Sequence, residues 1–145
     1  SSARSKRRQR TWCLVASLEI QKAIVAAVVA DGALGALIGD RIYDRVPDSA
    51  VPPYVNFGVT FADVYDGQEF DGTEVMVMLH TWSRDHGRVE CEQIMDGLRA
   101  LLHEQTLTLE TKTFTLGRLA DQRTMQDPDG VTTHGVQRFR FIAGT

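Results

Sequence analysis

The ten residues Thr73 to Trp82 constrain the fold of this chain more than any other segment. Side chains alternate across an extended strand. Val75, Val77 and Leu79 therefore line one side, and Met76, Met78 and Trp82 the other. A strand apolar on both faces is either central in a covered sheet or offers one face to a partner. Left bare in a monomer, such a face would be an aggregation hazard. Met76, Met78 and Trp82 are accordingly the candidate residues of a protein interface.

The rest of the chain supplies the layers that such a strand needs. Leu18 to Ala30 reads as an amphipathic helix, with Ile20, Ile24, Ala27 and Val28 on one face and Ser17 as its N-cap. Asp31-Gly32 breaks it, and Ala33 to Ile38 make a further short turn of helix closed by Gly39. Ile42 to Val46 is a short strand stopped by Pro47. Beyond Tyr54, the residues Val55, Phe57, Val59 and Phe61 alternate with Asn56, Gly58 and Thr60, which predicts a half-buried strand. Cys91, Ile94, Met95, Leu98, Leu101 and Leu102 recur at i, i+3, i+4, i+7, i+10 and i+11, the strongest helix signal in the sequence. The last third is β-rich. Leu107 to Leu109 and Phe114 to Leu119 precede a hairpin whose tip, Asp127-Pro128-Asp129-Gly130, suits a type I turn. The expected fold is a single α+β domain, a mainly antiparallel sheet packed by two helices with a long C-terminal hairpin.

At 145 residues the chain can bury roughly two-thirds of its unfolded surface without metal or disulfide support. Charge is unevenly placed. Residues 1–10 hold Arg4, Lys6, Arg7, Arg8 and Arg10 with no acid. Residues 11–145 set the other 11 basic residues against all 19 acidic ones and carry −8. Residues 1–16 thus read as a basic, flexible extension on an acidic domain of residues 17–145. An acidic body argues against gripping nucleic acid through its phosphates, though the basic arm keeps a nucleic-acid-binding adaptor open as an alternative. Cys13 and Cys91 fit no CxxC spacing and read as lone thiols of a protein made in a reducing compartment. No apolar run approaches the roughly 20 residues that cross a bilayer, so no membrane partner is expected. The basic start is followed by only a short apolar stretch before Glu19, Gln21 and Lys22, which argues against a secretory signal.

Reactive side chains are not arranged for catalysis. His80, His86, His103 and His134 show no HxH or HExxH spacing, so each is expected at the surface or rim rather than on a metal. Ser83, Asp85 and His86 hold the letters of a triad. Four consecutive residues cannot easily align nucleophile, base and orienter, and no oxyanion-hole motif accompanies them. The acidic stretch Asp66, Glu69, Asp71 and Glu74 lacks the residue order of an EF-hand loop and reads as a solvated hairpin tip. Glycines 32, 35 and 39 follow no strand and precede no GK[ST], which excludes a phosphate loop. No catalytic residue, cofactor or metal is expected. A small-ligand-binding protein is a remoter alternative, whose mark would be a deep pocket with converging polar groups.

Taken in order, several short segments resemble the tail-completion, or tail-terminator, proteins of long-tailed phages and gene transfer agents. These are the helix start Leu18-Glu19-Ile20-Gln21-Lys22-Ala23, the stretch Asp31-Gly32-Ala33-Leu34, and Arg41-Ile42-Tyr43-Asp44-Arg45-Val46-Pro47 leading to Pro53-Tyr54-Val55. Leu79-His80-Thr81-Trp82-Ser83-Arg84 follows. Asp127-Pro128-Asp129-Gly130, His134-Gly135-Val136 and Arg138-Phe139-Arg140-Phe141 close the pattern. The likeness runs from about residue 17 to 142 and leaves residues 1–16 outside.

The resemblance implies a structural virion protein rather than an enzyme. It implies a homohexameric ring that terminates the tail tube and joins it to the head connector at the head–tail junction. Its partners would be the tail tube protein, the head connector, and double-stranded DNA passing through the lumen without tight binding. The protein would be made in the bacterial host cytoplasm. An acidic ring would discourage DNA from sticking to the channel wall. Asp63, Asp66, Glu69, Asp71 and Glu74, on a polar loop with Gly67 and Gly72, are the candidate lumen-lining or connector-facing residues.

Overall fold

The computed structural model describes residues 17–67, 70–110 and 114–144. Helix α1 (Ser17–Ala30) buries Ile20, Ile24 and Val28 completely, because a spacing of four returns to one helix face. Ser17 lies within its first turn rather than before it. At Asp31 the backbone turns extended (φ −80°, ψ 123°), and the carboxylate accepts a hydrogen bond from Leu34 N at 2.9 Å. That cap starts α2 (Gly32–Ile38), bent 87° from α1 and closed by Gly39 at φ 60°. The short helical turn expected here is a helix in its own right, so three helices pack on the sheet where two long ones were anticipated.

Strand β1 (Ile42–Tyr43) runs parallel to β2 (Tyr54–Gly67). It stops well short of Val46 because the chain must leave the sheet to return to the start of β2 in the same direction. Arg41 holds this crossing. Its Nε donates to Pro53 O at 2.8 Å, and its own carbonyl accepts from Val55 N at 3.0 Å. Strand β3 (Phe70–Ser83) pairs antiparallel with β2, helix α3 (Val89–Leu102) follows, and β4 (Phe114–Gln126) and β5 (Thr133–Gly144) form the long hairpin. The sheet order is β1-β2-β3-β5-β4, with only the β1–β2 pair parallel. The hairpin turn is as expected: Gly130 N donates to Asp127 O at 3.0 Å. Asp129 accepts from Val131 N, Thr132 N and the Thr132 hydroxyl. Those bonds, led by Thr132 N, pull its pKa down to about 2.

Two local expectations fail for identifiable reasons. The alternation after Tyr54 breaks at a bulge between Phe57 and Thr60, so Val55 and Phe57 point into the core while Val59 is 57% exposed. Leu107 to Leu109 is irregular rather than a strand, although Leu109 still reaches the core. The free edge of β4 is instead met earlier, where Glu104 N donates to Gly117 O and Gly117 N to Gln105 O.

One face of the sheet carries the core. Val75, Val77 and Leu79 of β3 and Phe139, Phe141 and Ala143 of β5 pack with the buried residues of all three helices. Cys91, Ile94, Met95, Leu98 and Leu102 of α3 are buried as the periodicity predicted, with Leu101 partly so. No described element covers the opposite face.

Candidate functional site: the outer sheet face

Strand register places the uncovered side chains in rows. Across β2, β3, β5 and β4 the first row is Tyr54, Trp82, His134 and Met125, and the second is Asn56, His80, Val136 and Arg123. Met78 then stands opposite Arg138 and Asp121, Met76 opposite Arg140 and Arg118, and Glu74 opposite Ile142 and Leu116. Met76, Met78 and Trp82 are therefore together on one face and half-buried, while the alternate residues of β3 are in the core. The two-faced strand is central, with the described helices on one side.

The upper part of this face is an ordered aromatic cluster. Trp82 stacks on His134 with ring centroids 3.8 Å apart and planes 8° apart. Its Nε1 donates to Asn56 Oδ1 at 2.7 Å, which fixes the indole. His80 Nδ1 and His134 Nε2 lie 2.7 Å apart, within hydrogen-bond range. Gly58 permits this arrangement, since a Cβ there would sit 2.4 Å from His80 Nε2. Burial pushes both imidazoles below their ordinary pKa, and for His134 the neighbouring His80 adds to the effect. Tyr43 meets Tyr54 edge to face, with centroids 5.9 Å apart, at the β1 end of the first row.

The lower part is charged. Arg138 Nε bonds both carboxylate oxygens of Asp121, at 2.9 and 3.0 Å, and its second nitrogen also bonds Asp121. That bonding holds the Asp121 carboxyl below the usual range. Arg140 pairs with Glu74 at 2.7 Å. Four arginines, Arg118, Arg123, Arg138 and Arg140, thus stand on a face of a domain that is acidic as a whole.

The acidic stretch is the end of a hairpin, as expected, but Asp63, Asp66, Asp71 and Glu74 stand on paired strands rather than on a loop. β2 and β3 stay paired as far as Gly67 and Phe70, with Asp63 opposite Glu74 and Asp66 opposite Asp71. The carboxylates therefore belong to the end of a long ladder, and Glu74 is engaged by Arg140. Glu69 lies outside the described residues. The letters Ser83, Asp85 and His86 assemble no triad: Ser83 Oγ donates to Glu90 at 2.7 Å, and His86 is exposed. Nothing local to either residue marks His80 and His134, 54 residues apart, as neighbours. Only the register that sets Trp82 opposite His134 brings them together. A second apolar surface, an open hollow along α1 lined by Leu18, Gln21, Lys22, Val25, Ala26 and Val29, has no converging polar groups of the kind a ligand pocket needs.

Among the described residues, three helices pack on one side of a mixed five-stranded sheet, and an aromatic and arginine-bearing face lies on the other. Residues 22–144 match the family described as tail completion protein gp17, and the chain belongs to that family. It is 28% identical over 131 residues to the tail completion protein gp17 of Bacillus phage SPP1, covering 90% of this chain and 96% of that one. The solved structure of the bacteriophage SPP1 gp17 protein superposes with a TM-score of 0.64 at 26% identity, over 90% of this chain and 92% of that one. A chain in the virion of a native gene transfer agent particle shares the fold, with a TM-score of 0.79 at 18% identity over 90% and 98% of the two chains. The resemblance read from the ordered segments is thus correct at the level of family and fold.

Proposed function

We propose that this chain is a non-catalytic virion protein that forms a ring ending the tail tube and joining it to the head connector, with DNA passing through the lumen. Family membership across residues 22–144 carries the reading. The bare face of the sheet supports it, because a half-buried stripe of Met76, Met78 and Trp82 beside four arginines suits a protein partner. We assign that face to the contact between neighbouring subunits, and residues 17–145 to the ring body. Six bodies of residues 11–145 would carry about −48, which disfavours adhesion of DNA to the wall. Mass determination and negative-stain imaging of the purified protein, with and without its tail-tube partner, test the assignment. Six-membered rings are expected in at least the second condition; a monomer in both would overturn it.

The acidic end of the β2–β3 hairpin is assigned to the lumen or to the connector. Like charges directly opposite each other, as at Asp63–Glu74 and Asp66–Asp71, weaken a ladder in isolation and are tolerable where function keeps them. Replacing Asp63, Asp66, Glu69 and Asp71 with Asn or Gln is expected to leave particles assembled but slow to eject DNA if the residues line the channel. Docking on the connector predicts unjoined heads and tails instead. Normal joining with normal ejection would exclude both roles.

The basic charge of residues 1–10 favours a second reading, a nucleic-acid arm. DNA binding that weakens steeply with salt, and disappears when residues 1–16 are removed, would support it.

A further inference from the structure

We propose that His80 and His134 form a proton-gated latch in the outer sheet face, closed while at least one of the two rings is neutral and opened when both are protonated. The geometry carries this. With Nδ1 of one ring 2.7 Å from Nε2 of the other, one nitrogen must donate and the other accept. A second proton removes the acceptor and sets N–H against N–H. Two cations that close, half withdrawn from water, repel far more than in bulk solution.

Little around the pair can absorb the second charge. β2 contributes Tyr54, Asn56 and Gly58, none of them charged. On β3 the flanking residues are Met78 and Trp82, and on β5 the nearest cation, Arg138, is bound to Asp121. From β4, Arg123 opposes protonation of His134; Asp127, just beyond that strand, favours it. Among the described residues, one carboxylate therefore faces two imidazoles and an arginine.

The direction with pH follows from proton counting. Free imidazoles titrate near 6.5, whereas burial holds these two lower, so below about pH 6.5 the open form binds more protons than the closed one. Acidification then favours opening, about tenfold per pH unit for each additional proton bound. Above about pH 7 both forms are neutral and the pull vanishes. Opening releases Trp82 from its stack on His134, which remodels the first two rows of the face. That this alters assembly rests on the reading of the face as a subunit contact; the latch itself does not.

The test uses the full chain carrying Trp12→Phe, which leaves Trp82 as its sole tryptophan. Imidazole nitrogen shifts and the Trp82 emission maximum are followed from pH 8 to pH 5. His80 and His134 are expected to titrate as a coupled pair, with the second step below 6.5 and a shift of the emission maximum to longer wavelength in that step. His134→Gln and His80→Gln each keep a hydrogen-bonding group but lose the second charge, and should abolish the wavelength shift. Independent titration of both rings at the ordinary value, with Trp82 emission fixed in wavelength, would overturn the proposal. So would a shift that persists in both glutamine variants. If a variant does not fold, the coupled titration of the parent chain decides alone. A latch that titrates as expected while ring mass stays constant with pH would contradict the interface reading and leave the latch standing.

Discussion

Met76→Asp and Met78→Asp should leave the domain folded and stop it from joining heads to tails. The two methionines stand opposite Arg140 and Arg138, so a carboxylate introduced at either position meets a guanidinium across the strand pair. Cross-strand pairs of opposite charge are favourable, and both sites are only half-buried. The cost to folding is expected to be about 1 kcal/mol, a few degrees in melting temperature. In an interface the same carboxylate would be desolvated against a neighbouring chain. Losing a central apolar contact there typically costs about 2 kcal/mol or more, roughly 30-fold in affinity, and a ring repeats the loss at every contact. Trp82→Asp should block joining too, but with a larger folding cost, because it also removes the stack on His134 and the bond to Asn56. Thermal melts beside counts of joined particles separate the two effects. Loss of folding in parallel with loss of joining in all three variants would mean that these side chains serve only the domain itself.

Gly117→Ala should be among the most damaging single-methyl additions to the fold. A Cβ at this position would lie 2.5 Å from Leu102 O and 2.6 Å from Phe141 Cε1. The first is backbone at the end of α3, and the second is the ring of a fully buried core residue, so neither can swing aside cheaply. Gly117 is also held on both sides by its hydrogen bonds with Glu104 and Gln105. Overpacking at such a site costs roughly 1–3 kcal/mol and more where backbone must move. Denaturant titration is expected to show a lower midpoint at an unchanged slope. A midpoint within experimental error of the parent would show that α3 and β4 can separate without penalty.

The layers were legible in the sequence because their signals are local. The spacing of Ile20, Ile24 and Val28, the repeat from Cys91 to Leu102, and the Asp-Pro-Asp-Gly turn each depend on residues a few positions apart. The two-faced character of Thr73 to Trp82 was readable for the same reason, and it located Met76, Met78 and Trp82 on what is now the bare face. What sequence alone could not supply is register. The bulge after Phe57 reverses the inward and outward sides of β2, and Gly58 inside the run hints at a bulge without setting the register. The run of acids looked like a loop because carboxylates disfavour strands, yet pairing with β3 continues to the hairpin end and overrides that preference. His80 and His134 looked scattered because their neighbourhood exists only once β3 and β5 are aligned.

Particles assembled without this chain show most directly whether it joins heads to tails. Electron micrographs of lysates from a strain lacking the gene should show heads and tails that never meet. Supplying the chain in trans should restore joined particles, and supplying it with Met76→Asp or Met78→Asp should not. Joined, DNA-delivering particles in the complete absence of the chain would contradict the assignment.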